Sequence, residues 1–272
     1  MTEIKGTKVI AIDHGYGNIK TTNTVTPTGV IACDTKPVFD GNTLEYEGKW
    51  YRIGEGHKEF IPEKQNDEEY FLFTLAGIAE ELADEGLTEA DVILAVGLPL
   101  TWMTGQKEAF VKYLLREGEI CFTYRKVDYK IRIVGVKVYP QGFAAIAEKA
   151  PEMKGVNMIA DIGNGTMNVL YIANGSPLSG KMFTEQFGTY QCTLAIREAF
   201  MRTTHRNLTD AVIDEILENG NADIAKSDFT LIRSVVTSYV EDIFRRLREH
   251  GYDEGLMKLY ITGGGGCLVR NF

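Results

Sequence analysis

The chain has 272 residues, enough for one large hydrophobic core or two medium ones, and its 44% hydrophobic and 25% charged residues are those of an ordinary folded protein. A net charge of −9 argues against a surface that attracts nucleic acid as a whole. Cys33, Cys121, Cys192 and Cys267 lack metal-ligand spacing and read as reduced, buried or half-buried thiols; with no apolar run long enough for a membrane span and no apolar leader in Met1–Lys8, a cytoplasmic protein is expected.

In chain order, Thr7–Asp13 and Asn18–Asn23 are expected to form a hairpin, followed by a strand over Gly29–Cys33. A short hairpin pairs Thr43–Tyr46 with Lys49–Ile53 around Glu47-Gly48. Lys58–Lys64 is polar and irregular. From Asn66 or Asp67, the apolar positions Tyr70, Leu72, Phe73, Leu75, Ile78, Ala79 and Leu82 follow helical spacing, and Gly86 ends the helix. Asp91–Gly97 is the short apolar run of a buried central strand. A helix from Thr104 to Leu115 and strands over Glu119–Tyr124 and Tyr129–Tyr139 come next. Pro140-Gln141-Gly142 then opens a short helix, Phe143–Lys149, which closes a first domain, residues 1–150.

A second domain, 151–272, begins at the Pro151–Gly155 turn. An apolar strand ends at Asp161, a second runs from Thr166 to Ala173, and Asn174-Gly175 turns it into a third, Ser176–Phe183. Helices are expected over Tyr190–Met201, Thr209–Leu217 and Asp228–His250. The last has a wide apolar stripe (Leu231, Val235, Tyr239, Ile243, Leu247), with Arg245, Arg246 and Arg248 read as part of a solvated face. A final strand, Met257–Thr262, runs into four glycines, Gly263–Gly266. Such a run is costly in backbone entropy, so it is expected to need positive φ angles or very close approach of a ligand.

One pattern occurs twice: Asp13-His14-Gly15-Tyr16-Gly17 and Asp161-Ile162-Gly163-Asn164-Gly165, each after an apolar strand and before another strand. A carboxylate at a strand end suits a divalent ion or its water, and the N–H groups of a glycine turn suit phosphate oxygens. Either copy alone is also what an ordinary glycine turn beside an aspartate looks like. The repetition fits an α/β domain built twice, with the two turns on opposite walls of a cleft.

With these turns and the final glycine run, the chain resembles the actin-like ATPase superfamily, whose relatives include heat-shock chaperones and sugar kinases. AIDHGYGNIK (Ala11–Lys20) resembles its first phosphate loop, ADIGNGTMNV (Ala160–Val169) its second, YITGGGG (Tyr260–Gly266) its adenosine motif and VYPQGFAAI (Val138–Ile146) its connecting segment. The Asp-x-Gly-Tyr-Gly-Asn-x-Lys form is most similar to the bacterial plasmid-segregation actins of the ParM/StbA type.

The resemblance implies an actin-like (ribonuclease H-like) α/β fold of duplicated domains flanking a nucleotide cleft. It implies Asp13 and Asp161 at a hydrated Mg2+, with Gly15, Tyr16, Gly17, Asn18 and Lys20 on one side of the phosphates. Gly163, Asn164, Gly165 and Thr166 take the other side, with Gly263, Gly264 and Gly265 against base and ribose. Glu185, Gly188 and Glu215 are weaker sugar-side candidates. Gln141 matches the water-orienting position, where some segregation relatives have a carboxylate; an amide aligns water but is not a strong base. The cofactors implied are ATP, with GTP open because glycine turns do not read the purine, and Mg2+. The partners implied are further copies in a filament and a centromere-binding adaptor, with no direct nucleic-acid or membrane contact. Family members continue past the adenosine turn with a closing helix, which is expected to be absent here.

Two other readings stand beside an ATPase that polymerises. A nucleotide-binding structural protein with little turnover fits Gln141. A small-molecule kinase needs a catalytic acid near the γ-phosphate, and LPLTWM after Asp91–Gly97 offers none.

Overall fold

A computed structural model describes residues 2–4, 6–38, 41–56, 67–99, 102–142, 146 and 149–272. The chain divides into two compact units, Met1–Leu98 with Trp102–Pro140, and Pro99–Thr101 with Gln141–Phe272.

The first unit contains β1 (Thr2–Ile4), β2 (Thr7–His14), β3 (Asn18–Lys20), β4 (Val25–Pro27), β5 (Val30–Cys33), β6 (Thr43–Tyr46), β7 (Lys49–Ile53), α1 (Glu69–Asp84), β8 (Glu89–Leu98), α2 (Met103–Leu114), β9 (Ile120–Tyr124) and β10 (Val127–Pro140). Its ten strands form one sheet ordered β4-β3-β2-β8-β10-β9-β6-β7-β5, with β1 on β2. The central strands β2, β8 and β10 are parallel. Helix α1 is buried nearly all round, as its dense apolar sequence requires. Its two buried acids are bonded: Glu80 accepts from Tyr124 Oη (2.9 Å) and the Arg125 guanidinium (3.0 Å), and Glu81 from the Asn23 backbone N–H (2.9 Å). Gly86, at φ +69°, ends the helix as expected: its N–H reaches Ala83 O (3.0 Å), and that of Leu87 reaches Leu82 O (2.9 Å). The Glu47-Gly48 hairpin is also as expected, with both residues at positive φ.

The second unit contains β11 (Val156–Ile162), β12 (Met167–Ala173), β13 (Ser176–Glu185), α3 (Thr189–Thr204), α4 (Asp210–Asn219), α5 (Lys226–Glu249), β14 (Lys258–Thr262) and α6 (Gly265–Asn271). Its sheet is ordered β13-β12-β11-β14, with β11 parallel to β14 and the other pairs antiparallel. This repeats the β4-β3-β2-β8 part of the first sheet, in which β2 is likewise antiparallel to β3 and parallel to β8. The duplication read from the two glycine motifs is therefore a duplication of topology. Both faces of the second sheet are covered. Met158, Ala160 and Ile162 pack with α3, α4, α5 and Leu268 of α6, while Ile159, Leu170 and Ile172 pack with Ile146, Ala150 and Met153.

That second cluster corrects the expected boundary between residues 150 and 151. Ile146 and Ala150 are core residues of the second unit, so the division falls at Pro140/Gln141. Pro140 does not open a helix: it is the last residue of β10, in register with Leu98, and Gly142 at φ +79° breaks the extended run. The helix expected over Phe143–Lys149 lies largely outside the described residues, as does Lys58–Lys64. Cys121 is exposed rather than buried, because alternate residues of β9 face outward. Among the described residues no helix is long and apolar enough to cross a membrane.

Candidate functional site

In the first unit, β2 and β3 pair Asp13 with Lys20 and His14 with Ile19. Alternation along the strands sends His14 and Ile19 into the core and leaves Asp13 and Lys20 on the other face, half-buried and exposed respectively. His14 ties the strand end to α1. Its Nε2 lies 2.7 Å from Thr74 Oγ1, and the Thr74 hydroxyl donates to Tyr70 O (2.8 Å), so Nε2 carries the proton in that contact.

The turn between the strands is held by its carbonyls. Thr28 Oγ1 donates to Gly15 O (2.8 Å), and Thr28 N–H donates to Gly17 O (2.9 Å). In a trans peptide the next N–H points opposite to the carbonyl, so the N–H groups of Tyr16 and Asn18 are directed away from Thr28. Gly15 is required sterically, since a Cβ there would sit 2.5 Å from Asn18 O. The Tyr16 ring is buried and its hydroxyl pKa is raised by that burial, so this residue offers the turn chiefly its backbone.

The second unit repeats the arrangement. Asp161 is in register with Asn168, the same separation as Asp13 from Lys20, and with Thr262 of β14. The Gly163 N–H closes the turn on Thr166 O (2.9 Å), and Thr166 is buried. Here the turn carbonyls cap a helix. The N–H groups of Thr189 and Tyr190, in the first turn of α3, donate to Gly163 O and Asn164 O, both at 2.9 Å. By the same peptide geometry, the N–H groups of Asn164 and Gly165 are directed away from α3.

Glycine backbone surrounds the Asp161 carboxylate. A Cβ on Gly142 would lie 2.9 Å from Asp161 Cβ and 3.3 Å from Oδ2, and one on Gly263 would lie 2.8 Å from Oδ1 and 2.4 Å from Ile162 O. Gly142 thus brings Gln141, its chain neighbour, to the strand end that carries Asp161. The final glycine run has the positive φ expected from sequence at Gly263, and it lies close against β11. Gly263 has φ +78°, and Gly265 is buried where a Cβ would meet Ile162 Cβ and Cγ2 at 2.4 Å. Gly265 is therefore packed against Ile162 with no room for a side chain, while Gly263 and Gly264 remain exposed. The run also begins α6, a helix that glycine-rich sequence does not announce.

The three weaker candidates lie in different surroundings. Glu185 receives Arg246 Nη1 (2.5 Å) and is bonded to His250 Nε2, which also takes Arg246 out of the expected solvated face. Glu215 is exposed on α4. Gly188, the residue before α3, is pressed against the turn: a Cβ there would lie 2.2 Å from Asn164 O. Sequence reading passed over Gly142, Thr28 and Asn168; the only local signal was a glycine directly after Pro140-Gln141.

Residues 11–143 match the family model described as actin like proteins N terminal domain. No curated protein matches the chain. Among solved structures, it is similar to Ta0583, an archaeal actin homolog, with a TM-score of 0.78 at 19% identity over 97% of this chain and 89% of that one. The same homolog in complex with ADP gives 0.72 at 18% over 97% and 89%. The ParM of a 15-stranded filament from Clostridium botulinum gives 0.73 at 18% over 98% and 91%, and the Alp12 filament 0.66 at 17% over 96% and 88%.

Proposed function

We propose that this chain, whose fold is the actin-like one and whose residues 11–143 carry the N-terminal domain of the actin like proteins, is a filament-forming ATPase that acts in plasmid DNA segregation. The observation that carries the reading is the strand–turn–strand repeat. In both units an aspartate is the penultimate residue of the first strand, and carbonyls of the following turn are bound to their own scaffold, so the next N–H groups are directed the other way. ADP is bound by the homolog Ta0583, and ParM and Alp12 form filaments; these properties are extended to this chain as part of the proposal.

The residues present suit Mg2+-ATP. Asp13 and Asp161, one carboxylate per turn, would serve a magnesium ion that keeps most of its water. Gly142 and Gly263 present backbone rather than a side chain of their own beside the Asp161 carboxylate. Gly15, Tyr16, Gly17 and Asn18, and Gly163, Asn164, Gly165 and Thr166, would hold phosphate oxygens, with Lys20 adding positive charge and Gly263 and Gly264 on the adenosine side. The bound ion would neutralise charge on the phosphates. Gln141 would orient the attacking water by accepting and donating hydrogen bonds.

Head-to-tail contacts between copies are heterologous and therefore propagate as a filament. Hydrolysis would then weaken those contacts, and an adaptor would link the filament to plasmid DNA in the cytoplasm. A second reading, nucleotide-dependent assembly with little turnover, is favoured by one feature: Gln141 is an amide where a carboxylate would be a stronger proton acceptor.

Pelleting and light scattering with ATP, GTP, their slowly hydrolysed analogues and no nucleotide test the assignment. Assembly with triphosphate and disassembly as phosphate is released are expected. No assembly with any nucleotide at high protein concentration would remove the filament reading; assembly without phosphate release would select the second.

A further inference from the structure

We infer that Tyr239, in the middle of α5, is a positioning residue for the second glycine turn and sets how strongly that turn holds the β- and γ-phosphates. This rests on the nucleotide reading above and deepens it.

The path is continuous and short. The Tyr239 hydroxyl, buried, donates to Gly188 O at 2.7 Å. Gly188 is the residue before α3 and is pressed against the turn, with room for no Cβ beside Asn164 O (2.2 Å) and Gly163 O (2.7 Å). Thr189 and Tyr190, directly after it, bind those same two carbonyls. Moving Gly188 therefore moves the donors that fix the turn, the N–H groups of Thr189 and Tyr190, and with them the directions of the Asn164 and Gly165 N–H groups. A second link holds Gly188: its own N–H donates to Gln191 Oε1 at 2.8 Å.

Tyr239 is itself braced. Its ring stacks on Phe187 (centroids 4.5 Å apart, planes at 13°), and the Arg246 guanidinium lies 4.0 Å from the centroid of the Phe187 ring. Arg246 is paired with Glu185, at the end of β13. The hydroxyl thus has a defined direction, and a donor in a defined direction can hold a peptide plane. Packing alone does not require it, because phenylalanine would keep the stack with Phe187.

The test compares wild type with Tyr239→Phe, which removes one oxygen and keeps the ring. Affinities for ATP, ADP and AMP are measured by calorimetry with Mg2+, together with hydrogen exchange at residues 163–166. Loss of one hydrogen bond is expected to weaken ATP and ADP binding about tenfold, to change AMP binding less than about twofold, and to speed exchange in the turn. A uniform change across the three nucleotides, or none, with wild-type exchange in the turn, overturns the inference while leaving the nucleotide reading intact. Wild-type protein that binds none of the three overturns the nucleotide reading, and this inference with it. If Tyr239→Phe does not fold, Phe187→Leu, which removes the stacking partner, is measured in the same way. The same selective loss supports the inference, and a uniform loss overturns it.

Discussion

Asp161 and Gln141 make separable predictions, because one supplies fixed charge and the other only hydrogen bonds. Asp161→Asn keeps the shape of a side chain that glycine backbone closely surrounds, so the fold should survive. It removes the negative charge facing the proposed ion, and the Mg2+-dependent part of ATP affinity should fall by roughly tenfold or more, a loss of about 1.4 kcal/mol or greater. Calorimetry with and without Mg2+ reads this directly; equal metal dependence in wild type and variant would remove Asp161 from the site. Gln141→Ala leaves both turns intact and takes away water alignment. The rate of phosphate release should drop more than nucleotide affinity does, which single-turnover kinetics beside a binding isotherm would resolve.

At the scale of elements, the end of β13 is tied to α5 through Glu185. Partial burial pushes the Glu185 carboxyl up, but hydrogen bonds from His250 and Arg246 outweigh it and hold the group below its ordinary value of 4.5. A carboxyl depressed in the folded state contributes stability above the unfolded pKa, and that contribution is lost as pH falls through the folded one. Glu185→Gln should therefore melt lower than wild type near neutral pH, and the gap should close as pH drops below about 4.5. Melting temperatures between about pH 3 and pH 7 check the sign; a gap independent of pH would mean that packing, not charge, makes the contribution. The same tie explains why Arg246 was misread from sequence. Helical periodicity places it beside the apolar stripe but cannot show that Glu185, at the end of β13, and Phe187, just beyond it, lie there.

For the whole molecule, the net charge of −9 would set the conditions for the proposed assembly. Bringing like-charged copies together costs electrostatic free energy that salt screens, with the Debye length falling from about 30 Å at about 0.01 M to about 8 Å at about 0.15 M. The critical concentration for nucleotide-dependent assembly is predicted to fall over that range, as followed by light scattering. A critical concentration that rises with salt would point to contacts made by complementary charges instead.

Much of this protein was legible in its sequence where the determinant was local. Gly86 ends α1 because only a residue at ease at positive φ closes that cap, and Glu47-Gly48 turns its hairpin for the same reason. The two Asp-x-Gly-x-Gly segments announced the repeat because each strand–turn–strand unit carries its whole signal within a few residues. What tertiary structure decided depends on neighbours distant in the chain. A glycine states that a Cβ is absent but not what would have met it. Gly142 proves to lie on Asp161, Gly188 on Asn164, and Gly265 on Ile162. The division at Pro140/Gln141 has the same origin, since Ile146 and Ala150 belong to whichever sheet face they cover, and that face is built by β11 and β12, which come later in the chain.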